Sequence, residues 1–260
     1  MADQTPKSET EYKERYAAFL DLLGFKVLVE AAERDANERE RLEEALALLR
    51  QTLCNYPRLG YRFTCFSDCI VITSDATPEA LWDIFHSVAT LTRNLLQFDV
   101  LVRGGITRGG ALHSPHSVYG TAVSRAAAIE KDAAQGPLTL LSSEVYADAQ
   151  AMGQNFLQWL ETDGPDRFFV HYLMDYAEYH KTPALPGKVV LDTDAERIAF
   201  FISRRLLNDT GRVLGKAKWF QAYWNRTVAR QNGYAEIQAD PPLVVPDGPR
   251  TRIVRRPVGF

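Results

Sequence analysis

Cysteine is scarce in this chain. Cys54, Cys65 and Cys69 are the only three among 260 residues. An odd trio makes no paired framework, which predicts reduced thiols and a cytoplasmic setting. Cys65 and Cys69 flank Asp68, yet no second cysteine pair or nearby histidine completes a zinc set. Long apolar runs are missing too. The longest, around 17–32, is interrupted by Asp21, Lys26 and Glu30, so no membrane span and no direct membrane partner are expected. Residues 1–11 lack the apolar core of a secretion signal. There is no excess of positive charge. The count of 30 Lys and Arg against 33 Asp and Glu gives a net charge of −3. That argues against a nucleic-acid partner and leaves any phosphate ligand to local arginines or metal. No HExxH, Gly-x-Ser-x-Gly or Walker pattern occurs. His113 and His116 read as exposed residues of a hairpin loop.

What the chain does have is a pair of aspartates inside apolar, strand-like runs. Asp21 lies in the segment 16–25 and Asp68 in the segment 61–73. An ionised carboxylate rarely enters such surroundings unless it is paired or binds a metal. Two of them suit two Mg²⁺ or Mn²⁺ ions held against a triphosphate. The plainer alternative is a strand-end aspartate capping a turn.

Pattern and punctuation predict a strand at 16–21, helices at 25–33 and 38–53, and strands at 61–66 and 69–73 joined tightly at Ser67 and Asp68. A helix at 78–97, a strand at 100–107, a helix at 120–133 and a strand at 138–141 follow. A helix from about 142 and strands near 156–161 and 167–173 complete the set. This order implies an α+β fold, an antiparallel-containing sheet with helices on one face. The expected division is an N-terminal arm (1–14), a catalytic domain (15–176), a C-terminal helical extension (177–240) and an irregular tail (241–260) with four arginines. The extension follows a linker at Pro183 and Pro186. Its helices, near 192–208 and 212–231, carry Phe200, Phe201, Trp219, Phe220, Tyr223 and Trp224. That stripe reads as packing against the sheet domain or a second copy.

Four segments give the pattern more meaning together than apart. They are Phe19-x-Asp21-x-x-Gly24-Phe25, Phe66-Ser67-Asp68-x-Ile70-x-Ile72, Arg103-x-Gly105-Ile106-x-x-Gly109, and Tyr119-Gly120-x-x-Val123 followed by Ala127-x-x-Glu130. In this order, over about residues 15–175, they resemble the class III nucleotidyl cyclase domain. The nearest variant is the pyrimidine (uridylate or cytidylate) cyclase of the Pycsar anti-phage defence system. The resemblance implies a ferredoxin-like fold and a homodimer with active sites shared between subunits. It implies conversion of UTP or CTP to the 3′,5′-cyclic monophosphate and pyrophosphate, and a separate effector that responds to the product. It further implies that Asp21, Asp68 and the backbone carbonyl of Leu22 hold two Mn²⁺ or Mg²⁺ ions. Backbone N–H groups of Leu23, Gly24 and Phe25 would then meet the phosphates.

Set beside purine cyclases, the chain departs at four positions. Thr64 stands where they carry a base-reading lysine, and Ser117 where they carry a base-reading aspartate. Ser124 and Ala128 replace the Asn and Arg that they place on the helix after the valine. Tyr56, Arg62 and Arg103 are the candidates for reading the base. Arg103, Arg125 and Arg108 are the candidates for the missing transition-state cation, a charge needed because the phosphates gain negative charge during transfer. Two other readings stay open: a purine cyclase with an atypical pocket, and a catalytically silent nucleotide-binding dimer module.

Overall fold

A computed structural model describes residues 11–56, 60–134, 136–174, 193–229 and 236–238. The linker at Pro183 and Pro186, the arginine-bearing tail and most of the N-terminal arm lie outside them. The chain runs β1 (Lys13–Leu23), α1 (Phe25–Arg34), α2 (Ala36–Cys54), β2 (Arg62–Phe66), β3 (Cys69–Asp75), α3 (Pro78–Leu96), β4 (Leu101–His113) and β5 (Val118–Gly120). It continues with α4 (Thr121–Ala128), β6 (Thr139–Leu141), α5 (Ser143–Ala151), α6 (Gln154–Leu157), β7 (Leu160–Thr162), β8 (Phe168–Val170), α7 (Thr193–Asn208) and α8 (Gly211–Trp224). Among the described residues one eight-stranded sheet forms in the order β2-β3-β1-β4-β6-β8-β7, with β5 beside β4. The β4–β6 pair is parallel and the others are antiparallel. The protein is a mixed α+β fold, as its sequence pattern implies. No described helix is long and apolar enough to cross a membrane.

β1 is an interior strand, between β3 and β4, and its period of two divides its side chains between two environments. Tyr16, Ala18, Leu20 and Leu22 enter the main core with Leu81, Ile84, Phe85 and Val88 of α3. Ala17 faces the other way and packs with Ala111 and Ala122. The second face therefore carries a helix of its own, α4, rather than being left bare. Gly105 permits this approach: a Cβ there would stand 2.5 Å from the Ala126 carbonyl oxygen and 2.7 Å from Ile129 Cβ. Thr107 Oγ1 donates to the Ala122 carbonyl at 2.7 Å and pins the same contact.

Two expectations need correction. The strand expected near 156–161 is mostly a helical turn, α6, with only Leu160–Thr162 extended. Phe156 is the reason: from that turn it packs against Phe85 and Trp82, with ring centres 4.9 and 5.5 Å away. The helix expected over 120–133 changes at Ile129 into a five-residue π-turn, a geometry common at functional sites.

The C-terminal helices dock on the sheet domain. Tyr223 meets Phe169 and Tyr172 edge-on, at 5.2 and 5.1 Å between ring centres. Its hydroxyl bonds His171 Nδ1 at 2.6 Å and accepts the Leu173 N–H at 3.2 Å. On α7, Arg204 binds Asp99 at 2.9 Å, and Arg41 of α2 shares that carboxylate. Asp99 lies two residues before β4 begins.

Candidate active site

The sheet brings the two aspartates together. Asp21 sits opposite Cys69 on one side and Arg103 on the other. By parity it shares a face with Ala17, so it points away from the main core, toward α4's side. This is how a carboxylate occupies an apolar interior strand. Asp68 follows Ser67, whose φ of 53° tightens the β2–β3 turn. The Leu22 N–H donates to the Asp68 carbonyl at 2.9 Å and ties that turn to β1. As a result, one ligand atom each from Asp21, Asp68 and Cys69 lies within 4.8 Å of the others.

Burial pushes the Asp21 carboxyl above its usual range, Arg103 pulls it back, and Asp68 pushes it up again. Burial also raises Glu130, again opposed by Arg103. Arg103 Nη2 lies 3.3 Å from Asp21 Oδ2 and also pairs with Glu130, which is only 8% exposed. The π-turn is what carries Glu130 to this point. The donor set fits a hard divalent cation. Two carboxylates and adjacent backbone carbonyls are oxygen ligands of the Mg²⁺ or Mn²⁺ kind, whereas the Cys69 thiol, raised by burial, suits neither.

Gly24 turns the chain from β1 directly into α1. Its φ of 82° is left-handed, and its carbonyl accepts the Val27 and Leu28 N–H groups at 3.0 and 3.3 Å. The first N–H groups of α1 have no intrahelical acceptor, so they open beside Asp21 with the positive end of the helix dipole.

A cavity of roughly 300 Å³ lies at the β2 edge, lined by Tyr56, Tyr61, Arg62, Thr64, His113 and Ser114 among others. It brings Tyr56, Arg62 and Thr64 to one place. His113 is not an exposed loop residue, as its position suggested. It is 2% exposed and bridges two strands, with Nε2 2.8 Å from Thr64 Oγ1 and Nδ1 2.9 Å from Thr73 Oγ1. β4 runs six residues beyond the expected strand end, and that extension buries the ring. His116 is exposed.

The other candidates lie apart from the carboxylates. Ser117 is exposed in the β4–β5 hairpin, where its N–H donates to Ser114 Oγ at 3.1 Å. Ser124 is exposed on α4. Arg125 pairs with Glu144 and donates to the Arg108 carbonyl at 3.3 Å. Arg108 itself binds Asp148 at 2.8 Å. Tyr56 bonds His86 Nδ1 at 2.8 Å.

Two neighbours of the site carried no signal of their own in the sequence. Glu130 stood in the Ala-x-x-Glu motif without a role. Lys216 of α8 lies within electrostatic reach of Arg103, Asp21 and Glu130, and burial lowers its pKa first, then Arg103.

No protein-family model and no curated protein matches the chain. Among solved structures it is similar to the adenylyl cyclase CyaB from P. aeruginosa, at 17% identity and a TM-score of 0.46, over 62% of this chain and 95% of that one. It is similar to the guanylyl cyclase Cya2 at 14% identity and a TM-score of 0.47, over 62% and 93% of the two chains. It is also similar to the monomeric guanylyl cyclase domain of RhoGC from Blastocladiella emersonii, at 14% identity and a TM-score of 0.48, over 62% and 97%.

Proposed function

We propose that this protein is a class III-type nucleotide cyclase acting on a pyrimidine triphosphate, UTP ahead of CTP. The observation that carries the reading is the convergence of Asp21 and Asp68 beside the open N-terminus of α1. Asp21, Asp68 and the Leu22 carbonyl would hold divalent ions, which when bound supply Lewis acidity toward the ribose 3′-hydroxyl and the phosphates. The chain's own residues bind and orient. The α1 N–H groups receive phosphate oxygens. The 3′-oxygen forms its bond to the α-phosphorus as the bond to the bridging oxygen breaks. The hydroxyl proton is lost to solvent and pyrophosphate departs.

Base choice rests on the cavity beside Thr64. Its lining by Tyr56, Arg62 and Thr64 offers an aromatic ring, a donor cation and a small hydroxyl for reading a base. Neither Thr64 nor Ser117 brings a charge to adenine's polar edge, and each buried group left unpaired costs about 1–3 kcal/mol. An arginine donates only, which favours the uracil O4 acceptor over the cytosine amino group. The reading includes a homodimer in the cytoplasm whose product acts on a separate effector in anti-phage defence. Those parts rest on the sequence resemblance alone.

One observation favours a second reading, a silent nucleotide-binding module. The α4 arginine nearest the missing transition-state pair, Arg125, is engaged by Glu144. Incubation with each nucleoside triphosphate and Mn²⁺, with products identified by mass, decides between them. Cyclic UMP or CMP is expected. Asp21→Asn and Asp68→Asn should each abolish it while leaving the circular dichroism spectrum unchanged. Faster turnover of ATP or GTP overturns the pyrimidine assignment. Turnover of none by the folded wild type overturns the enzyme.

A further inference from the structure

The cations that the sequence offered for the phosphate charge already have partners. Arg103 is bound by Asp21 and Glu130, Arg108 by Asp148, and Arg125 by Glu144. Lys216 differs. It is half-buried on α8 and within electrostatic reach of Asp21, Arg103 and Glu130. Among the described residues its ammonium has neither a hydrogen-bond nor an ion-pair partner. Asp21 and Glu130 attract it, but burial and the neighbouring Arg103 oppose its charge more strongly, so a further anion at this point would be favoured.

The helix that carries it is firmly seated. One turn beyond Lys216, Trp219 donates Nε1–H to Asp163 at 2.6 Å and presses on Gly136, where a Cβ would stand 2.6 Å from the indole. Ala217 and Phe220 are buried in the main core. On the preceding helix, Arg204 grips Asp99, four residues before Arg103. The two anchors fix α7 and α8 across the end of the sheet where the carboxylates converge. The ammonium is therefore held there by packing, not by a salt bridge of its own.

We propose that Lys216 binds the polyphosphate of the nucleotide, and that the C-terminal helices thereby supply in the same chain the cation that α4 lacks at Ser124 and Ala128. This rests on the cyclase reading for its ligand and goes beyond it in assigning a residue outside the resembling segment. The ammonium would sit over phosphate oxygens, drawing charge from the leaving pyrophosphate. The bland alternative is that Lys216 only offsets the negative charge of Asp21 and Glu130. The two differ in what its removal does. A charge-balancing lysine, once removed, tightens Mn²⁺ binding and leaves phosphate affinity nearly as it was. A phosphate-binding lysine loses phosphate affinity.

The test is calorimetric titration of the full chain with inorganic tripolyphosphate in the presence of Mn²⁺, beside Mn²⁺ alone. Lys216→Met should weaken tripolyphosphate roughly tenfold or more, as for loss of a charge-assisted bond. Lys216→Arg should stay within about threefold of the wild type, because it keeps a donor cation. Where Lys216→Met melts early, Lys216→Gln replaces it. Either neutral variant binding tripolyphosphate as the wild type does overturns the proposal, as does a wild type that binds none. Turnover is measured in parallel. A wild type that binds tripolyphosphate but cyclises nothing sinks the cyclase reading, while Lys216 is still decided by the binding arm.

Discussion

His113 gives a quantitative test of the packing around Thr64. Its ring is 2% exposed and both nitrogens are bonded, to Thr64 and to the fully buried Thr73. Burial first, then Arg62 and Arg15, lowers its pKa from 6.5 to about 4. In the unfolded chain this histidine takes a proton near pH 6.5; in the folded chain it resists down to about 4. Between those values the unfolded state binds more protons, so stability falls as pH falls, and the loss is complete below about 4. The gap is worth about 3 kcal/mol in full and about 2 kcal/mol by pH 5. His113→Gln keeps an amide able to bond one threonine and removes the titration. Urea unfolding of both proteins at pH 7.5 and pH 5 is the assay. The variant should be weaker at pH 7.5 by about 1–3 kcal/mol, the cost of disturbed buried hydrogen bonds. The wild type should lose about 2 kcal/mol more than the variant on going to pH 5. Equal losses in the two proteins would mean that the ring is protonated in the folded state at pH 5, and the account of its burial would be wrong.

Two further outcomes follow from packing. Gly105→Ala forces a methyl against the Ala126 carbonyl and Ile129, so α4 must shift from β4; a loss of about 1–3 kcal/mol is expected in urea, and a neutral result would show that the helix is not seated so closely. Tyr223→Phe removes the hydroxyl shared by His171 and the Leu173 N–H. It should cost about 1–3 kcal/mol, and an unchanged midpoint would show that water replaces the bond without loss.

The order of elements and the presence of an aspartate in each of two apolar strand runs were legible along the chain, because both are local; that the two carboxylates meet is the work of the β1–β3 register. Apolar period, Thr77 with Pro78, Gly24 and the tight turn at Ser67 act within a few residues of where they stand. Asp35 accepts the Asn37 N–H at 2.7 Å and caps α2, and Ser142 caps α5, each acting within three residues of where it stands. The aromatic stripe of the C-terminal helices read as packing against the sheet domain or a second copy, since large rings so dense on one helix have to be covered; within the chain Tyr223 packs on Phe169 and Tyr172.

Other features depended on distant partners. Nothing near His113 in sequence says that Thr64 and Thr73 will flank it; strand register does. Glu130 reaches Arg103 only because α4 lies on Gly105 and ends in a π-turn. Phe156 left the strand expected of it because Trp82 and Phe85 were waiting in the core. Lys216 is one lysine among the charges of a helix until α7 and α8 dock and bring it within electrostatic reach of Asp21. The sequence by itself determined the mixed α+β fold class and the presence of two metal-suited carboxylates in apolar strands, all written in residue type and short spacing. Tertiary structure alone decided which of the described charges are spent on one another, because Coulombic pairing depends on distance in space and not on distance along the chain.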